Sequence, residues 1–296
     1  MGQSRRNFLK QLAAIGTTGA ALTSVTPKNS IAKSSDNLSE ERKGVLVDST
    51  VCIGCRKCEW ACQGAHEFKQ DSFENYQNDE TLNKMRRPDI NNLTVVNKYR
   101  DEGLRTIKLQ CMHCDYPACE SACIVGAITK NENGAVVWDT DKCIGCRYCM
   151  VACPFQIPAF EYHKALDPKI LKCDFCIERT SEGKFPACVS ICPVEALTYG
   201  TREELITEAK RRIKNYPNKY YDHVFGEYEI GGTSWLYLAD KNLAGPVFPK
   251  LSNNPAPGVS ESIQHGLFAY FVPPIAVYAL LGGIMWLTKD TKKENQ

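Results

Sequence analysis

Short apolar runs separated by polar loops make up the middle of the chain. Runs of four or five residues lie at 44–48, 106–110, 127–130, 135–138 and 197–200, and runs of this length between turn signals are typical of β-strands. The turn Asn131-Glu132-Asn133-Gly134 joins the third run to the fourth, which predicts a hairpin. We expect the last run to pair with the first.

A helical pattern follows the last of these runs. Thr201 and Glu204 form a capping-box signal, and the helix that they begin is predicted to reach about Lys214. Its apolar residues recur at helical spacing. Those on one face are Leu205, Ile206, Ala209 and Ile213.

Two long stretches have no clear period. Residues 63–105 are polar and rich in Asn and Asp, and residues 219–262 are rich in Tyr, Gly, Pro and Asn. The first predicts an insertion with little regular structure. The second, which together with the preceding helix makes up the segment 201–262, predicts an extended tail that lies on this subunit or on a neighbour.

The C-terminal region contains an uncharged apolar segment. Leu267–Leu287 is 21 residues long, about 31 Å as an α-helix, which is enough to cross the hydrocarbon core of a bilayer. Three lysines follow in 289–296, so the positive-inside rule places this end in the cytoplasm and the preceding domain on the opposite side. We therefore expect a transmembrane anchor at 263–288 and a cytoplasmic tail at 289–296.

The N-terminal region predicts export. Ser4-Arg5-Arg6-Asn7-Phe8-Leu9-Lys10 matches the twin-arginine pattern, and a mildly apolar stretch follows it. We expect a signal peptide at 1–32, cleaved after Ala32, and a polar linker at 33–43. The twin-arginine route carries folded cargo. The signal and the lysines after the apolar segment both predict that the domain between them lies on the periplasmic side of the inner membrane.

Length and charge exclude some classes of protein. With 296 residues, of which 43% are hydrophobic, the chain is long enough to bury a core. Its net charge of +2 lacks the basic bias of a nucleic-acid-binding surface.

The sixteen cysteines fall into four quartets. They are Cys52, Cys55, Cys58 and Cys62; Cys111, Cys114, Cys119 and Cys123; Cys143, Cys146, Cys149 and Cys153; and Cys173, Cys176, Cys188 and Cys192. Two quartets have C-x2-C-x2-C-x3-C spacing, typical of cubane iron–sulfur clusters, in which three cysteines bind one cluster and the fourth binds a companion. We expect the fourth cysteine to begin a helix. Gly145 is expected to adopt a positive φ, because the backbone approaches sulfide closely there.

Two other interpretations use the same cysteines. An exported chain with an even number of cysteines could hold a disulfide framework, but such scaffolds are usually short chains without a large core. A structural zinc takes four ligands, whereas a third cysteine two residues after C-x2-C favours a cubane cluster. His113 lies inside a complete quartet, so we expect it to support the ligands or to pack beside them.

Spacing limits how the quartets share ligands. Nineteen residues, including the predicted hairpin, separate Cys123 from Cys143, as in a compact two-cluster ferredoxin, so the second and third quartets are expected to share ligands. The first and fourth must then complete each other. Nineteen residues also separate Cys153 from Cys173, so spacing alone equally allows the third quartet to pair with the fourth.

Together, these stretches resemble a known family. The quartets resemble bacterial ferredoxins, and nearly the whole chain is similar to the four-cluster electron-transfer subunits of formate dehydrogenases, polysulfide and dimethyl sulfoxide reductases, and hydrogenases. The similarity is greatest to the ferredoxin-like subunit of hydrogenase-2-type NiFe hydrogenases. It rests on Asp48-Ser49-Thr50, Cys111-Met112-His113-Cys114, the run from Cys146 to Pro154, Gly200-Thr201-Arg202-Glu203-Glu204-Leu205, and a twin-arginine signal paired with one C-terminal span.

The resemblance implies an α+β fold of interleaved ferredoxin-like modules over 44–200, holding four 4Fe-4S clusters. It implies that Cys192 completes Cys52, Cys55 and Cys58; Cys62 completes Cys173, Cys176 and Cys188; Cys153 completes Cys111, Cys114 and Cys119; and Cys123 completes Cys143, Cys146 and Cys149. The chain departs from the ferredoxin pattern at Gln63 and Ile124, which stand in place of Pro.

The resemblance also implies a function. The chain would be a non-catalytic subunit that relays electrons between a periplasmic catalytic module, a NiFe hydrogenase, and an integral membrane quinone-reactive subunit. The alternative is the same role beside a molybdenum enzyme of the formate dehydrogenase or polysulfide/DMSO reductase type. A more distant alternative is a zinc-binding membrane adaptor. We expect no catalytic residue for substrate chemistry in this chain.

Overall fold

The computed structural model describes residues 38–76, 78–100, 105–164, 168–258 and 277–285. All of them belong to the larger of the chain's two compact units, Asp36–Gln296. The predicted signal peptide at 1–32 and the linker residues 33–37 lie outside the described residues. The described chain contains mixed helices and strands, in agreement with an α+β ferredoxin-like fold.

Its elements are short. The strands are β1 Lys43–Asp48, β2 Val95–Tyr99, β3 Arg105–Leu109, β4 Ile128–Lys130, β5 Val136–Trp138, β6 Ala159–Phe160, β7 Ile170–Leu171, β8 Leu197–Thr201 and β9 Trp235–Leu238. Apart from the helical residues 277–285, the helices are α1 Lys57–Ala65, α2 Phe73–Tyr76, α3 Ala118–Ser121, α4 Tyr148–Ala152, α5 Ile177–Ser181, α6 Ala187–Ser190 and α7 Arg202–Asn215. Two 3-10 helices lie at Asp79–Asn83 and Glu229–Gly231.

A three-stranded sheet in the order β8-β1-β9 closes the cysteine-rich region. β1 and β8 are antiparallel, with Val45 opposite Tyr199, which confirms the expected pairing of the first and last apolar runs. On β1, Val45 and Val47 pack in a cluster that contains Cys188, with Cys58 and Cys192 against it. Leu46 points to the other side and packs with Leu205 of α7. The sheet therefore separates the cysteines from α7.

The third strand of this sheet comes from the predicted extended tail. β9 pairs in parallel with β1, placing Val45 opposite Trp235. All four residues of β9 are at most 1% exposed. The tail at 219–262 therefore contributes a buried strand to the sheet, which its sequence did not indicate. A strand buried on both faces lacks the alternation of apolar and polar residues that identifies a half-buried strand in a sequence.

The predicted insertion at 63–105 is also more regular than expected. β2 lies within it and forms an antiparallel ladder with β3, from Val95 opposite Leu109 to Tyr99 opposite Arg105. Val95, Val96 and Asn97 are buried in succession. The prediction of an irregular insertion is corrected because this strand, too, is buried on both faces.

The hairpin and the capped helix are confirmed. β4 and β5 are antiparallel, with Ile128 opposite Trp138. Thr201 and Glu204 form the capping box at the start of α7. Leu205, Ile206 and Ala209 are buried in one cluster, and Ile213 packs against it.

Only part of the predicted membrane anchor is described. Residues 277–285 are helical, and the large apolar side chains Val277, Tyr278 and Met285 are 56%, 76% and 72% exposed. The remaining residues of 263–288, and the tail 289–296, lie outside the described residues. Within the described ranges, the structure contains no helix whose length and apolar character would allow it to span a bilayer.

Candidate metal centres

Each quartet begins with the same left-handed loop. The residue just before the second cysteine has a positive φ in all four quartets: 72° at Gly54, 47° at His113, 69° at Gly145 and 66° at Phe175. The prediction for Gly145 is confirmed. Because His113 and Phe175 adopt the same conformation without being glycines, the shape of the loop is required even where a side chain makes it costly.

A helix contains the third cysteine of each quartet. In all four cases the third cysteine is the second residue of that helix: Cys58 in α1, Cys119 in α3, Cys149 in α4 and Cys188 in α6. The expectation that the fourth cysteine begins a helix is therefore wrong. The first residues of a helix have backbone N–H groups without intrahelical partners, so this position provides free donors near the sulfur.

The fourth cysteine leaves its helix by a shared turn in three of the quartets. The residue three positions after it has a positive φ and donates its N–H to the cysteine carbonyl oxygen. These pairs are Gly126 with Cys123, Gln156 with Cys153 and Glu195 with Cys192, at N···O distances of 3.1, 2.9 and 3.4 Å. Ile124 thus keeps the path of the proline-containing quartets. At Gln63, by contrast, α1 continues to Ala65.

The sixteen free thiols are named here by the four ligand sets that the family resemblance implies. Thiol set one is Cys52, Cys55, Cys58 and Cys192; set two is Cys62, Cys173, Cys176 and Cys188; set three is Cys111, Cys114, Cys119 and Cys153; and set four is Cys123, Cys143, Cys146 and Cys149. Burial raises the pKa of Cys52, and Cys192 and Cys55 add to the increase. Burial raises the pKa of Cys176 to about 12, with contributions from Cys188 and Cys62.

In sets three and four, burial and neighbouring thiols also raise the pKa values of the cysteines. Burial raises the pKa of Cys114 well above its ordinary value, and the thiols that add to this increase are Cys153, Cys111 and Cys119. Burial raises the pKa of Cys149 to about 11, with help from the other three thiols of set four. Thiols influence each other in this way only at short range. The structure therefore brings the second quartet together with the third, and the first with the fourth.

The four sets form a row. Cys58 of set one and Cys188 of set two interact electrostatically, as do Cys119 of set three and Cys149 of set four. Sets two and three meet in one hydrophobic cluster, where Cys62 and Cys173 pack with Cys111. These contacts link set one to set two, set two to set three, and set three to set four.

The ends of the row reach the surface. Cys146 of set four is exposed, and Ile124, Ile144 and Val151 beside that set are 68%, 61% and 80% exposed. At the other end Ile53, in the loop of set one, is 63% exposed. The inner set two consists of buried cysteines. Both outer sets thus lie beside exposed residues.

Comparison with known proteins shows to which family this chain belongs. Residues 104–202 match the 4Fe-4S dicluster domain family. The chain is 36% identical over 329 positions to the hydrogenase-2 operon protein HybA of Escherichia coli O157:H7, covering 99% of this chain and 97% of that protein. It is 31% identical over 258 positions to the iron–sulfur subunit of the nitrate-inducible formate dehydrogenase of Escherichia coli K12, covering 83% of each chain.

The chain belongs to the family of iron–sulfur electron-transfer subunits of the hydrogenase and formate dehydrogenase type. A protein of Nitratidesulfovibrio vulgaris Hildenborough is a further relative, 43% identical over 295 residues, which cover 98% of this chain and 78% of that protein. The match to the dicluster domain shows that this subunit binds 4Fe-4S clusters.

Buried donors in this iron–sulfur subunit fit such clusters. His113 Nε2, Trp138 Nε1 and Trp235 Nε1 are buried nitrogens without a hydrogen-bond partner among the described residues. Trp138 packs against the cluster of side chains that contains Cys119 and Cys149. Unpaired buried donors are costly, but cluster sulfur accepts hydrogen bonds. A zinc ion bound directly to four thiolates would add no sulfide acceptor.

His113 is a supporting residue in this subunit. It is completely buried, and its Nδ1 accepts a hydrogen bond from the Val136 N–H at 2.8 Å. Burial lowers the pKa of His113 well below its ordinary value, and the nearby ammonium groups of Lys172 and Lys130 lower it further. The ring is therefore neutral, with its proton on the unpaired Nε2.

Sequence reasoning missed a second histidine. His66 Nδ1 donates to the Cys62 carbonyl oxygen at 2.7 Å, and its Nε2 donates to Asp174 Oδ1 at 2.9 Å. Asp174 also accepts from the Cys176 N–H at 2.8 Å. Ligand atoms of His66, Asp174 and Cys176 lie within 4.8 Å of one another, but Cys176 belongs to set two, so we assign His66 and Asp174 to the support of that set.

Proposed function

We propose that this subunit binds four 4Fe-4S clusters, one on each thiol set, and relays single electrons along the row. Its ends meet the catalytic module of a NiFe hydrogenase and an integral membrane quinone-reactive subunit. The observation that carries the proposal is the arrangement of sixteen thiols in four adjoining sets, the outer two of which lie beside exposed residues.

The proposed ligands are the four members of each set. Cys52, Cys55, Cys58 and Cys192 hold the first cluster; Cys62, Cys173, Cys176 and Cys188 the second; Cys111, Cys114, Cys119 and Cys153 the third; and Cys123, Cys143, Cys146 and Cys149 the fourth. When bound, each cluster takes up and releases one electron at a potential set by charge, hydrogen bonds and exposure. The chain itself positions the thiols, excludes water and presents the ends of the row.

The surface near set four supports a docking role. Ile124, Ile144 and Val151 expose apolar side chains around a set whose Cys146 is itself exposed. Exposed apolar residues that collect at one place mark interaction surfaces. A partner at this end would bury them and exclude water from the last cluster.

The extent of similarity favours a hydrogenase as the catalytic partner. The relative named for hydrogenase-2 is matched over 97% of its length, whereas the formate dehydrogenase subunit is matched over 83%. A formate dehydrogenase is the second candidate, because the iron–sulfur subunit of such an enzyme is also 31% identical over 258 positions. Purification of the complex from membranes distinguishes them: nickel in the co-purifying large subunit supports the hydrogenase, and molybdenum or tungsten rejects it.

The number of clusters is tested on the purified subunit. Four clusters require about sixteen iron and about sixteen sulfide per chain, since each 4Fe-4S cluster has four of each. Iron near eight, or zinc in place of iron, would contradict the proposal. The same sample, reduced with dithionite, should show paramagnetic resonance from interacting clusters, because the sets adjoin one another.

The relay itself is tested by Cys149→Ser. This change removes a ligand from set four, so one cluster should be lost or converted and quinone-coupled turnover should fall. Turnover with an artificial dye that takes electrons from the catalytic subunit should remain. Undiminished quinone-coupled turnover in a variant that has lost the cluster would contradict the relay.

Location is proposed from the two ends of the sequence. The twin-arginine signal at 1–32 and the apolar segment 263–288 with its following lysines support a periplasmic domain with a single C-terminal anchor. Replacing Arg5 and Arg6 by Lys should keep the subunit in the cytoplasm, and ending the chain at residue 262 should release it from membranes. Membrane fractions unchanged by either variant would reject this arrangement.

A further inference from the structure

Lys108 places an ammonium group inside the protein. It lies on β3 and is 2% exposed. Its Nζ donates to Gln110 Oε1 at 2.9 Å and lies 4.3 Å from the centroid of the Trp235 ring. The Tyr237 O–H donates to the Lys108 carbonyl oxygen at 2.9 Å, and Gln110 Nε2 donates to the Tyr237 oxygen at 2.7 Å. Both the backbone and the head group are therefore held in place.

The ammonium group faces thiols of two sets at once. Cys58 belongs to set one, whereas Cys188, Cys173 and Cys62 belong to set two, and all four interact electrostatically with Lys108. Lys108 also lines the cavity enclosed by Cys52, Cys55, Cys58 and Cys192. It therefore lies where sets one and two adjoin.

Lys108 differs from Lys130 in the groups that compensate its positive charge. Lys130 Nζ donates to the carbonyl oxygens of His113 and Cys114, at 3.0 and 2.9 Å, and forms an ion pair with Asp115 at 3.4 Å. The hydrogen-bond partner of Lys108 is a neutral amide. A buried cation is costly unless negative charge offsets it, and with the proposed clusters bound the ligand thiolates supply that negative charge.

We infer that Lys108 is a fixed cation shared by the clusters of sets one and two, and that it raises the reduction potential of both. This inference rests on the proposed ligation of these sets. Adding an electron increases the negative charge of a cluster, so a positive charge in a poorly screened interior stabilises the reduced form more than the oxidised form. Lys108 does not bind a cluster. Its ammonium group acts on both clusters through its positive charge.

The test compares potentials in the full-length subunit. Lys108→Met removes the charge and keeps an unbranched side chain of similar length. In a redox titration followed by paramagnetic resonance, two of the four clusters should become harder to reduce, by at least tenfold in the reduction equilibrium, which is about 59 mV for one electron. The other two should not shift. Cys55→Ser and Cys176→Ser identify the signals of sets one and two.

Two controls make the result specific. Lys98→Met removes the same charge from β2, opposite Thr106 on β3, at a partly exposed position, and it should leave all four potentials unchanged. Lys108→Arg keeps the charge and should leave the two potentials within a small fraction of the Met shift. If Lys108→Met does not assemble its clusters, Lys108→Gln, which preserves a donor towards Gln110, is titrated in its place.

The outcomes separate this inference from the proposed function. Wild-type protein with fewer than four clusters would overturn the proposed function. Four assembled clusters with unchanged potentials in Lys108→Met, or an equal shift of all four, would overturn only the inference about Lys108.

Discussion

At the scale of single residues, the cluster loops repeat one backbone conformation in different surroundings. Gly54 and Gly145 occupy equivalent positions, with φ values of 72° and 69°. A Cβ added at Gly54 would lie 2.7 Å from Thr106 Cγ2, whereas at Gly145 the nearest atom, Phe160 Cε2, would be 3.7 Å away. The two glycines therefore share a conformational requirement and differ in available space.

This difference predicts unequal effects of alanine. Gly145→Ala should cost about 1–2 kcal/mol, the penalty for a left-handed residue with a side chain. Gly54→Ala should cost about 1–3 kcal/mol more, because it also overpacks against Thr106. Urea unfolding with the clusters in place measures both. Adding Thr106→Ser removes Cγ2 and should recover most of the extra loss at Gly54; no recovery would contradict the steric explanation.

At the scale of elements, a buried carboxylate joins α1 to β2. Glu59 is 1% exposed, and its Oε2 accepts from Arg56 Nη2 at 2.9 Å and from Arg86 Nη1 at 3.1 Å. Its other oxygen, Oε1, accepts from the Val96 N–H. Glu59 follows directly after Cys58, so this contact positions the helix of set one against a strand that the sequence pattern did not indicate.

Removal of one arginine should reveal the strength of this contact. Arg86→Met should destabilise the protein by about 3 kcal/mol, the lower end for breaking a buried ion pair, because Arg56 still compensates Glu59. The matched control is Arg87→Met, since Arg87 is exposed and bonds Gln156 at the surface. Thermal unfolding followed by circular dichroism compares them. Equal losses of stability in the two variants would show that the buried ion pair contributes no more than the surface contact.

At the scale of the whole molecule, residues distant in the sequence complete one sheet. β1 precedes the first quartet, β8 follows the last quartet, and β9 lies 34 residues beyond β8 by the numbers of their ends, 201 and 235. Trp235 and Tyr237 on β9 pack in the cluster that contains Cys188. The tail is therefore part of the wall around sets one and two.

Two truncations distinguish a structural tail from an accessory one. A chain that ends at Asn218 lacks β9 and should lose iron from sets one and two and unfold at lower temperature, because it exposes the faces that Trp235 and Leu236 bury. A chain that ends at Gly258 keeps β9 and should retain the full iron content. Iron analysis measures both. Equal iron content in the two chains would contradict a structural role of the tail.

The sequence by itself determined the loops, the hairpin, the capped helix and the grouping of cysteines into quartets. Each depends on residues close in the chain: the capping box at Thr201 and Glu204, the turn at Asn131–Gly134, and the spacing of C-x2-C loops. Local geometry leaves few alternatives for such segments. Even the exchange of the fourth cysteines was limited by spacing to a choice between two pairings.

Only the tertiary structure decided features that depend on distant partners. It placed β2 and β9 as strands, because strands buried on both faces carry no alternating pattern. It brought the second quartet to the third, and His66 to Asp174 across 108 residues. It also placed Lys108 between two thiol sets, a position that cannot be inferred from a lysine in a strand, since the charges it meets come from Cys58 and Cys188 in separate parts of the chain.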